Sequence, residues 1–104
     1  MAFGTEPTGY HKTALSDLQG AWTNLRNEVA DNFGFPNSDR LLLHIDEAMS
    51  WESVRDLGKM KSTLLVIQNI TAQTEVPIEV AEWVHSVREN LDETLLAIRE
   101  GDVL

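Results

Sequence analysis

Two stretches of this chain repeat apolar residues at intervals of three and four, and that spacing leaves little choice of fold. Leu15, Leu18, Trp22, Leu25, Val29 and Phe33 form the first series. At about 100° per residue they fall within an arc of about 80° on a helix. Val80, Val84, Val87, Leu91, Leu95 and Ile98 form the second, on an arc of about the same width. No segment alternates as a strand would, and no internal repeat or low-complexity tract is visible. Stripes of this kind are buried only by packing helix on helix, so the pattern predicts an all-α antiparallel bundle of three to four amphipathic helices. Spacing this close to strict a/d would serve a bundle core or a helical oligomer interface equally well.

Caps and breakers set the expected boundaries. Residues 1–12, MAFGTEPTGYHK, carry Gly4, Pro7 and Gly9 and no periodicity, and read as an arm with Phe3 and Tyr10 as anchors. Residues 13–104 read as a single domain. The first helix covers about 13–33, capped by Thr13, ended by Gly34 and blocked from continuing by Pro36. Asn37 or Ser38 caps the second, about 38–50, with Asp39 favourable to its N-terminal dipole. Its apolar side is Leu41, Leu42, Ile45, Ala48 and Met49. A third helix, about 51–72, carries Leu57, Met60, Leu64 and Ile67. Residues 39–72 read as one helix or as two, and a kink or short break near Ser50 or Gly58 is the favoured reading. After a polar connector from Thr71 to Glu75, Pro77 suits the first turn of a last helix, about 77–100, which Gly101 ends.

At 104 residues the chain is long enough for one core without staples. It has no cysteine, which excludes disulfides, thiolate metal sites and a cysteine nucleophile. The longest aliphatic run, Leu64 to Ile67, cannot span a bilayer, and no apolar signal core is visible near the N-terminus, so a cytoplasmic location in a bacterial or infected host cell is expected. The net charge is −9, from 17 acids and 8 bases. Residues 1–61 hold 9 acids and 6 bases, whereas residues 62–104 hold 8 acids and 2 bases. That balance disfavours direct binding to nucleic acid or to an anionic membrane.

The acid of the second half is ordered. Glu75, Glu79, Glu82, Glu89, Glu93 and Glu100 share one arc, opposite the apolar stripe, with no Lys or Arg on it. Like charges at i,i+4 cost a helix about 0.2–0.5 kcal/mol per pair. The plain reading is a solvated face. The sharper reading is a docking face for a basic protein partner, or a mimic of a phosphate track.

Other motifs are weaker. Glu82-Trp83-Val84-His85 matches the Glu-x-x-His element of di-metal bundles, but it occurs once and faces away from the stripe. No metal or other cofactor is expected. Tyr10, Arg26, Arg40, Trp51, Arg55 and Lys59 are candidate contacts for an anion or a nucleotide; the alternative for the bases is surface ion pairing, Glu52 with Arg55 and Asp56 with Lys59. Trp22 belongs to the core stripe, while Trp51 and Trp83 suit the core edge or a partner anchor. No phosphate-binding loop, dinucleotide fingerprint or nucleophile elbow is present, and no enzymatic activity is expected.

Residues 37–54, NSDRLLLHIDEAMSWESV, resemble a motif of small phage helical-hairpin proteins that sequester cyclic-nucleotide immune signals. The resemblance lies in a leucine-rich helix leading into Asp46-Glu47-Ala48-Met49-Ser50-Trp51. It implies an oligomeric, non-enzymatic nucleotide sponge with ligand pockets between subunits.

Three functions therefore stand as expectations. The leading one is a small acidic inhibitor or sequestering factor, of phage or bacterial origin, that meets a host or rival macromolecule through the glutamate face. The others are a cyclic-nucleotide sponge and a self-associating phage assembly chaperone or structural subunit.

Overall fold

Four helices account for nearly all of the described chain: α1 (Gly9–Asp31), α2 (Ser38–Ser53), α3 (Leu57–Gln73) and α4 (Ile78–Arg99). The computed structural model describes residues 9–99, with side chains from Ala14 to Arg99. Among the described residues there is no strand.

Each helix packs on its neighbour in sequence, and α4 closes the ring against α1. The α1–α4 and α2–α3 interfaces are the most extensive, and α3–α4 is the slightest. Two contacts show the antiparallel sense. The Thr94 hydroxyl near the end of α4 lies 3.3 Å from the Ala14 carbonyl near the start of α1. The Asn37 side-chain amide, just before α2, donates to Thr74 Oγ1, just after α3, at 2.8 Å. The molecule is therefore an all-α antiparallel four-helix bundle.

The two stripes become its core. Leu18, Trp22, Leu25 and Val29 of α1 and Val80, Val84, Val87 and Leu91 of α4 are buried, as are Leu41, Ile45 and Ala48 of α2 and Leu57, Met60, Leu64 and Ile67 of α3. Leu95 and Ile98 are only partly buried, because Thr94 and Ala97 take the inner positions in the last turns of α4. Phe33 departs from the expected core: it is 56% exposed. Helix α1 ends at Asp31, so Phe33 leaves the helical arc, and Phe35 packs against the core instead.

Several boundaries are corrected. Helix α1 begins at Gly9, so Thr13 lies inside it and does not cap it, and residues 9–12 of the expected arm are helical. The rest of that arm, Phe3 included, lies outside the described residues. Gly34 does mark the turn after α1, at φ 117°. Asn37 stands at the α2 N-terminus in the left-handed region without a side-chain capping bond, and the Ser38 hydroxyl accepts from the Gly34 N–H at 3.0 Å. The break between α2 and α3 falls at residues 54–56, between the two expected points. Ser50 is helical and donates back to the Glu47 carbonyl at 2.7 Å, a local bond that leaves it no capping role. Asp56 caps α3 instead, accepting from the Lys59 N–H at 3.1 Å.

The α2 terminus is closed by a paired motif. The Arg55 N–H donates to the Glu52 carbonyl at 3.0 Å and the Asp56 N–H to the Trp51 carbonyl at 2.9 Å. These are the two bonds of a Schellman ending, whose left-handed position is usually glycine. Here it is Arg55, at φ 59°.

Candidate functional site

Burial of Val80, Val84, Val87 and Leu91 against α1 fixes the rotation of α4. That rotation turns Glu79, Glu82, Glu89 and Glu93 outward, all exposed. At about 1.5 Å per residue, Glu79 and Glu93 are about 21 Å apart along the helix axis. Glu75 is exposed too, but it sits in the α3–α4 connector and not on the helix. Glu100 lies outside the described residues.

Only part of the row has a partner. His85 Nε2 and Glu89 Oε2 are 3.2 Å apart, and both side chains are well exposed. Among the described residues, no Lys or Arg pairs with Glu79, Glu82 or Glu93. The neighbouring arc differs: Arg88 Nε meets Asp92 Oδ2 at 3.1 Å, and Asp92, Arg99 and Lys61 of α3 border a groove beside Leu95 and Leu96. The helix is thus polarised, with acid toward its outer face and mixed charge toward α3.

Helix pairing adds residues to the acidic face. Asp17 and Asn24 of α1 share an open groove with Trp83, Ser86 and Asn90 of α4. Asp17 is exposed on α1. Its position beside the α4 surface depends on which helix α1 packs against, and no local signal encodes that choice.

The candidate anion contacts are scattered. Arg26 Nε is 2.6 Å from Asp46 Oδ1, and this hydrogen bond, with the carboxylate charge, raises the guanidinium pKa above its ordinary value. Arg40 is exposed in the first turn of α2, and Arg55 lies beyond the opposite end of that helix, about 22 Å away along the axis. Trp51 and Lys59 do meet: Lys59 Nζ stands over the Trp51 ring, 4.8 Å from its centroid, a cation–π contact. Neither expected ion pair, Glu52 with Arg55 or Asp56 with Lys59, forms. The Tyr10 side chain lies outside the described residues, though its backbone is part of α1.

A smaller groove of about 210 Å³ lies between α1 and α2, lined by Gln19, Trp22, Thr23, Met49 and Glu52. Among the described residues no three His, Asp or Glu side chains gather as a metal site would require, and Glu82 and His85 have no such companions. No described helix is long and apolar enough to cross a membrane. Comparison with family models, curated proteins and solved structures returns no match.

Proposed function

We propose that this chain is a small non-enzymatic binding protein that inhibits or sequesters a basic protein partner through the outer face of α4. The observation that carries the reading is the exposed row Glu79, Glu82, Glu89 and Glu93 on a helix whose inner face is locked into the core. The helix fixes the backbone positions from which these side chains project before any partner arrives, which lowers the backbone ordering cost of binding. Complementary charge would act mainly by speeding encounter. The test is affinity capture with the full chain and with its Glu82→Lys/Glu89→Lys/Glu93→Lys variant. A captured partner should be lost with the variant, and equal capture by both folded proteins would remove the idea.

A second reading, the cyclic-nucleotide sponge, draws support from one contact, Lys59 over the Trp51 ring, with Arg55 in the turn between α2 and α3. A bound ligand raises the melting temperature by mass action. No shift with any cyclic nucleotide at millimolar concentration would argue against it.

A further inference from the structure

Beside the glutamate row, α1 and α4 border an open groove. It encloses about 340 Å³ of open space, and its walls include Asp17, Gly20 and Asn24 on one side and Trp83, Ser86 and Asn90 on the other. Gly20 is the informative position. It lies in the interior of α1, where glycine weakens a helix relative to alanine. Its backbone does not demand glycine, since only Gly34 among the described glycines has positive φ. Packing does not demand it either: a Cβ at Gly20 would meet nothing within 4 Å. Its effect is to leave this wall of the groove without a side chain.

Across the groove, Trp83 is half-buried. Among the described residues nothing accepts its indole N–H, whereas the buried Trp22 donates to Met60. A tryptophan with its body on the core and a free polar edge is the type of residue that anchors interfaces.

We infer that this groove seats an amphipathic basic helix of the partner. The inference rests on the acidic-face reading and names the element that face receives. Glu82, Glu89 and Glu93 follow one another at seven and four residues. Lys or Arg at i, i+7 and i+11 on a helix lying parallel to α4, or at i, i+4 and i+11 on an antiparallel one, matches those intervals. The apolar side of the same helix settles beside Trp83, and the bare wall at Gly20 lets its backbone come close. Because the other walls are largely polar, Ser16, Asn24, Ser86 and Asn90, the charged rim carries the recognition and Trp83 is its apolar anchor.

The probe is a synthetic peptide of Leu and Lys patterned with helical period, set against a scrambled isomer of the same composition and charge. Both are titrated calorimetrically at 150 mM salt into the full chain and three variants. The wild type should bind the patterned peptide at least tenfold more tightly than the scrambled one. Gly20→Leu, which fills the groove without touching a charge, should erase that difference without lowering the melting temperature. Gly20→Ala should raise the melting temperature and keep the preference. Equal binding of the two peptides to wild type, or a preference that survives Gly20→Leu, would overturn the groove. If binding then still disappears in Glu82→Lys/Glu89→Lys/Glu93→Lys, the acidic face stands without it; if neither peptide binds wild type, both readings fall.

Discussion

The indole N–H of Trp22 on α1 donates to the sulfur of Met60 on α3, 3.2 Å away and inside the core. It joins two helices whose backbones do not approach closely, so a polar bond crosses the bundle where packing is otherwise apolar. Met60→Leu preserves volume and removes the acceptor. Leaving a buried donor unsatisfied costs about 1–3 kcal/mol. Urea unfolding should show a loss in that range, larger than that of Met49→Leu, because Met49 is only partly buried and accepts no such bond. Equal small losses at both sites would show that the bond contributes nothing to stability.

Arg55 offers the opposite sign. It holds a left-handed conformation at the end of α2, which costs a non-glycine residue about 1–2 kcal/mol. Arg55→Gly should therefore stabilise the protein by about 1 kcal/mol, while Arg55→Ala should not. Gly34→Ala, at φ 117°, should destabilise by about 1 kcal/mol or more. Thermal melts of the three variants check the ordering.

Leu25 and Phe33 belong to one sequence stripe but to different environments. Leu25 is wholly buried and Phe33 is 56% exposed. Leu25→Ala should cost about 2–5 kcal/mol. Phe33→Ala should stay within about 0.5 kcal/mol, as surface changes do.

The limits of the sequence follow from the same residues. Helical period, Gly34 and Pro36 are local signals, and they located the first and last helices, an apolar helical stretch between them readable as one helix or two, and the turn after α1. Phe33 kept the period but fell past the last helical residue, so period alone overstated the core. The α2–α3 break lacks the usual glycine because Arg55 fills the left-handed position, so the local signals point to Ser50 and Gly58 on either side of it. The glutamate face was legible because it lies on one helix. The groove was not: Asp17, Gly20 and Trp83 meet only through the α1–α4 pairing, and a lone interior glycine looks like a weak helix residue until its surroundings are seen to be empty.

The row itself should leave a thermodynamic trace. Neighbouring carboxylates repel, and salt screens exposed charges over a Debye length of about 10 Å at 0.1 M. Added sodium chloride should raise the melting temperature of the wild type more than that of Glu82→Gln/Glu89→Gln/Glu93→Gln. In low salt the glutamine variant should be the more stable, by about 0.2–0.5 kcal/mol per relieved i,i+4 pair.

The outer face of α4 is proposed to receive a basic partner. The most direct measurement is the association rate of the captured partner with wild type and with folded Glu82→Lys/Glu89→Lys/Glu93→Lys, followed by stopped flow from low to high salt. Steered association falls steeply as salt rises. The predicted result is a wild-type rate that drops at least tenfold across the series, with the variant slow throughout. A variant that associates as fast as wild type at low salt would contradict the claim.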